Sequence, residues 1–149
     1  MNRMAGPDTL AAVRMTDPRT YRFWSADRVQ PADVDGGGRV QGGAIAVYFE
    51  GARVALFDEA RLLEDGAAMT TAVASLTIDC LGEIRYPADL KIGSRIVEVD
   101  PMAVRHVQAI FCGGTCVATA DTVSVLVDES GRQTAQLSEA QKARLLPFS

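Results

Sequence analysis

The chain has 149 residues, 48% hydrophobic and 23% charged, a balance that fills one ordinary core and leaves little room for a second. Its net charge of −4 excludes the broad basic face on which non-specific nucleic-acid binding rests. Residues 1–15 hold no apolar stretch of the kind a secretory signal carries, and no run approaches the roughly 18 apolar residues of a membrane span. A soluble, cytoplasmic protein is therefore expected.

Residues 1–18 mix Gly, Pro, Asp and Arg and close on Asp17-Pro18, so they read as an irregular N-terminal arm. Tyr21, Arg22, Phe23, Trp24 and Ser25 open a strand that runs to Gln30. Residues 31–43 read as a loop, with Asp33, Asp35, Gly36, Gly37, Gly38, Gly42 and Gly43. Glycine at that density implies unusual dihedrals or close approach of the backbone. Over 43–60, Ile45, Phe49, Ala52 and Leu56 recur at helical spacing, widened by Tyr48 and Ala55. Val47, Val54 and Phe57 make the pattern apolar nearly all round, which predicts a helix enclosed by sheet.

After Gly66 the period becomes two: Ala72, Ala74, Leu76, Ile78 and Cys80 alternate with polar residues. Further strands are expected over Lys91–Asp100, Ala103–Cys112 and Cys116–Asp128, with Gly113-Gly114 as a hairpin turn. Ser138 is placed to cap a C-terminal helix over 138–146. One strand, one long helix and four strands joined by short turns describe an α+β domain spanning residues 1–149, with a mainly antiparallel sheet. One helix covers only one sheet face, so self-association is expected to cover the other.

Cys80, Cys112 and Cys116 form no framework spacing and read as reduced thiols. His106 is the sole histidine, so no metal site is expected. Asp33-Val34-Asp35-Gly36 resembles the start of a calcium loop, but the twelfth position is Ala44, where a bidentate glutamate is needed. The glycines match neither the dinucleotide nor the P-loop pattern.

Arg28 to Val40 resembles the thioesterase opening R-(F/W)-x-D-x-D-x-x-G-H-V. Tyr48-Phe49-Glu50-Gly51-Ala52-Arg53 is similar to the Y-F-E-x-A-R of the hotdog helix, and Leu76–Leu81 followed by Ile84-Arg85-Tyr86 resembles L-x-I-D-Y-x-x-P-x-R-Y. Together these elements resemble the 4-hydroxybenzoyl-CoA / acyl-CoA thioesterase family over residues 20–145. The resemblance implies a hotdog fold, an antiparallel sheet wrapped around one long central helix. It also implies hydrolysis of an acyl-CoA thioester. The chain departs from the pattern at Arg39, where the family has histidine, and at Gln41-Gly42, where it has an asparagine pair.

Thioester hydrolysis needs an attacking group and preorganised donors for the oxyanion. Taken alone, Asp35 reads first as a turn aspartate bonded to local backbone. The resemblance makes it the nucleophile or general base, with the N–H groups of Gly42 and Gly43 as oxyanion donors. Arg39, Gln41, Ile45, Tyr48 and Phe49 are the expected substrate-binding residues. Asp33 is expected to hold the loop by pairing with Arg39 or Arg53, and Glu50 to be structural. CoA enters as part of the substrate, with no other cofactor. The expected assembly is a homodimer or homotetramer with active sites at the dimer interface. An acyl-carrier-protein substrate and a non-catalytic acyl-CoA-binding module are the alternatives.

Overall fold

The computed structural model describes residues 13–64, 69–132 and 136–149. Its elements are β1 (Phe23–Arg28), α1 (Gly42–Glu59), β2 (Met69–Cys80), β3 (Asp89–Asp100), β4 (Ala103–Cys112), β5 (Thr115–Asp128) and α2 (Glu139–Leu145). The five strands form one sheet in the order β1-β3-β4-β5-β2, with every pairing antiparallel. Most of the expected N-terminal arm, residues 1–12, lies outside the described residues. Its end, Asp17-Pro18, starts a short 3-10 turn in which the Asp17 side chain accepts from the Arg19 N–H.

The β4–β5 hairpin follows directly from its turn. Gly113 (φ 58°) and Gly114 (φ 84°) both take left-handed backbone, as a two-residue hairpin of the favoured twist requires. Strand β1 is shorter than the expected 21–30 run. Tyr21 stands over the outer sheet face instead, against Phe111 and directly above Gly93. A Cβ at Gly93 would lie 2.6 Å from the Tyr21 ring, so only glycine admits this packing.

Helix α1 buries Ile45, Phe49, Ala52 and Leu56 on the inner face of the sheet. The first three join Ile92, Ile110, Ala118 and Ala120 in one cluster. Leu56 and Phe57 belong to a second, with Leu62, Ile96, Val104, Leu126 and Leu145. The second cluster is closed by α2. The Ser138 hydroxyl accepts from Gln141 N while Gln141 Oε1 accepts from Ser138 N, and Gln141 Nε2 donates to Leu62 O at 3.1 Å. This is a capping box that also docks the helix.

The expectation that α1 is enclosed needs correction. The helix lies over β3, β1 and β4, leaving the inner face toward β2 uncovered. Val47 and Val54 are 62% and 59% exposed, and Val73 and Leu76 of the edge strand β2 are also exposed. An all-round apolar helix thus has one exposed flank among the described residues.

His106 lies fully buried beneath α1, edge-on to Phe57 at 5.5 Å, and neither ring nitrogen has a hydrogen-bond partner among the described residues. Burial, reinforced by the Arg53 charge and opposed by Asp121, pushes its pKa down to about 3. No described helix is long and apolar enough to cross a membrane.

Candidate active site

The chain leaves β1 through a 3-10 turn at Pro31–Asp33. Asp33 Oδ2 accepts from Gln30 N at 2.8 Å and from the Tyr48 hydroxyl at 2.6 Å, which ties this turn to α1. The Tyr48 hydroxyl, and after it the Gln30 N–H, hold the Asp33 carboxyl below the usual carboxylate range. Asp33 therefore does hold the loop, but not through Arg39 or Arg53 as expected. Arg39 pairs with Glu83 at 2.9 Å, and Arg53 is buried.

Residues 34–40 form a tight hairpin, with Val34 bridged to Val40. Asp35 N donates to Arg39 O at 2.8 Å, and Gly38 N donates to Asp35 O at 3.1 Å. Gly38 closes the turn with φ 79°, a conformation that favours glycine. The Asp35 carboxylate accepts two backbone N–H groups through a single oxygen, Oδ1: Gly37 N at 2.8 Å and Arg39 N at 3.1 Å. Oδ2 has no hydrogen-bond donor among the described residues. The N–H groups of Arg39 and Gly37, with the guanidinium groups of Arg39 and Arg85, hold the Asp35 carboxyl below its ordinary value. It is ionised at neutral pH.

A second segment shapes this hairpin. Val40 N donates to Ile84 O, Tyr86 N to Gly38 O, and Arg39 bridges to Arg85 as a third strand. Arg85 Nη1 donates to Gly37 O at 3.0 Å, and its Nε pairs with Glu83 at 3.0 Å. Sequence reasoning missed Glu83 altogether and met Arg85 only as part of the Ile84-Arg85-Tyr86 motif. The available signal was the Glu83/Arg85 alternation on one face of an extended segment.

Gln41 ends the loop and caps α1 with extended backbone (φ −79°, ψ 151°). Its Nε2 donates to Val34 O at 3.1 Å, so the side chain braces the loop where a substrate contact was expected. Ala44 N and Ile45 N both donate to Gln41 O. The N–H groups of Gly42 and Gly43, the first of the helix, have no acceptor among the described residues and lie exposed. Of the other expected contacts, Ile45 and Phe49 face the core, and Tyr48 is buried with its hydroxyl on Asp33.

A five-stranded antiparallel sheet carrying one long helix, entered through a carboxylate-bearing hairpin, is the hotdog architecture. The thioesterase-like superfamily model matches residues 29–145, and the chain belongs to that family. A thioesterase from Thermus thermophilus, solved with coenzyme A and zinc, is 26% identical over 84% of this chain and 92% of its own, with TM-score 0.73. A thioesterase-superfamily protein of a Jannaschia species is 22% identical over 93% and 89%, with TM-score 0.76. DHNA-CoA thioesterase of Staphylococcus aureus, 18% identical over 75% and 78% with TM-score 0.68, shares the fold. No curated protein sequence matches the chain. Thioester hydrolysis is the general chemistry of this family.

Proposed function

We propose that the protein is an acyl-CoA thioesterase that acts in the cytoplasm, with Asp35 as general base or nucleophile. The observation that carries this reading is the engagement of Asp35. One carboxylate oxygen is anchored by two backbone N–H groups, and the loop runs directly into a helix start; among the described residues the other oxygen has no donor and the first helix N–H groups have no acceptor. As base, Asp35 takes a proton from water while the oxygen adds to the thioester carbonyl. The oxyanion that forms is stabilised by Gly42 and Gly43 N–H, aided by the positive end of α1. The C–S bond then breaks, the thiolate takes up the proton, and the free acid and CoA leave. No cofactor beyond the CoA of the substrate is required.

The assembly in this reading is at least a dimer. Strand β2 is a 12-residue sheet edge with Val73 and Leu76 exposed, beside the uncovered Val47 and Val54 flank of α1. Long apolar edges of this kind are completed by another strand. Antiparallel pairing of two β2 strands extends the sheet, and each copy's helix flank is covered at an interface that borders both active sites.

The test is free-thiol release from a panel of aromatic and aliphatic acyl-CoA thioesters. Asp35→Asn and Asp35→Ala are expected to lower kcat about 10²–10⁴-fold with circular dichroism unchanged. Wild-type turnover in either variant refutes the assignment. Tight binding of the panel without hydrolysis by the native protein identifies a binding module instead.

A further inference from the structure

Asp35, Arg39 and Arg85 form a row across three neighbouring extended segments. Asp35 exchanges backbone and side-chain hydrogen bonds with Arg39, and Arg39 is bridged to Arg85. Neighbouring strands lie about 4.8 Å apart, so the backbones of Arg39 and Arg85 sit one and two strand spacings from that of Asp35. Glu83 holds both cations. Its Oε1 takes Arg39 Nε at 2.9 Å and its Oε2 takes Arg85 Nε at 3.0 Å. The glutamate is thus divided between two arginines and does not cap one bidentately. Both Nη groups of Arg39 and Nη2 of Arg85 keep their donors, and all three side chains are about half exposed. Arg85 Nη1 is engaged separately, on Gly37 O.

We propose that Arg39 and Arg85, spread by Glu83, form an oxyanion subsite that selects acyl groups bearing a second carboxylate, so that the substrate is the monothioester of a short dicarboxylic acid. The inference rests on Asp35 marking the reacting carbonyl. Three observations argue for it. Guanidinium N–H pairs match the geometry of a carboxylate. The row places the backbones of Arg39 and Arg85 roughly 5 and 10 Å from that of Asp35, and the nearer spacing matches the roughly 4–6 Å that an extended four- or five-carbon diacid spans from its thioester carbon to its free carboxylate. CoA phosphates stand at the far end of the pantetheine arm, well beyond that distance. The two cations also offset the repulsion that the substrate's free carboxylate meets from Asp35 itself.

The test compares kcat/KM for succinyl-CoA and butyryl-CoA, which differ by a carboxylate in place of a methyl, and for the same acyl groups on N-acetylcysteamine, which carries no phosphate. Wild type is expected to favour succinyl over butyryl on both carriers. Arg39→Gln is expected to reduce that ratio about tenfold or more, and Arg39→Lys to reduce it less. Arg85→Gln also loosens the Gly37 carbonyl, so it lowers kcat on every substrate in addition to the ratio. A parallel loss on all four thioesters with Arg39→Gln overturns the subsite. A loss that follows the CoA carrier and ignores the acyl carboxylate overturns it as well, by moving the contact to phosphate. Turnover of other acyl-CoAs but of none of these four overturns the subsite; should nothing in the wider panel be turned over either, the Asp35 reading fails by itself, and calorimetric binding of the two acyl-CoAs decides the subsite. Selective weakening of succinyl-CoA by Arg39→Gln retains it, and equal change removes it.

Discussion

Acid should destabilise this protein well before its carboxylates titrate, and the cause is a single buried ring. His106 binds a proton near 6.5 when exposed but only near 3 in the folded chain, so between these values the unfolded state holds the extra proton. Its contribution is fully present above pH 6.5 and is lost as pH falls toward 3. At about 1.4 kcal/mol per pH unit the whole window is worth about 5 kcal/mol, and the step from pH 6.5 to 4.5 about 2 kcal/mol. Asp17, Asp33, Asp35 and Asp128, all held below 3.8, act only as pH falls toward that value and leave the step from pH 6.5 to 4.5 clear. His106→Leu, similar in volume, removes the ring and its two unpartnered nitrogens. Urea midpoints at fixed protein concentration and salt should fall steeply below pH 6.5 in wild type and stay nearly flat in the variant. The variant should also match or exceed wild type at pH 7, because an unsatisfied buried polar group costs about 1–3 kcal/mol. As the sole histidine, His106 gives one imidazole NMR signal, which should not titrate down to pH 4.5. Parallel slopes in the two proteins, or a signal titrating near 6.5, refute the reasoning.

Gly42→Pro tests the oxyanion donor with little cost to the helix, because Gly42 is the first helical residue and Gln41 already has the extended backbone that precedes proline. It should cut kcat about 10²–10³-fold with the melting temperature nearly unchanged. Gly93→Ala drives a methyl into the Tyr21 ring and should cost about 1–3 kcal/mol in urea unfolding. Tyr48→Phe removes the larger cause of the low Asp33 pKa, so NMR titration should show that carboxyl moving up toward 3.8. Val54→Asp combined with Leu76→Lys should shift the protein to a smaller species in sedimentation if the uncovered flank joins two copies.

The strands were legible where their determinants are local. The period-two runs and the Gly113-Gly114 turn locate β3, β4 and β5 to within two residues, because pleat and turn chemistry act over a few positions. The start of α1 and the Ser138 cap were readable for the same reason. The motif also led to Asp35, but not to what holds it. Tyr48 to Asp33 and Arg85 to Gly37 are contacts 15 and 48 residues apart, and neither pattern nor propensity reports such distances. The all-round apolar helix was misread for a different reason. Periodicity tells that Val47 and Val54 are apolar, not which chain covers them.

The docking of 34–40 on 83–86 has a consequence for synthesis. The residues assigned to chemistry and the helix that follows are complete in the chain by residue 59, yet the carbonyl and N–H partners that fix their hairpin lie on Ile84, Arg85 and Tyr86. A nascent chain that has emerged only as far as β2 carries every reactive group and no shaped site. Under the proposed function, competence for hydrolysis cannot precede the connection between β2 and β3, so a released fragment ending before that connection should be inert whatever its helix content.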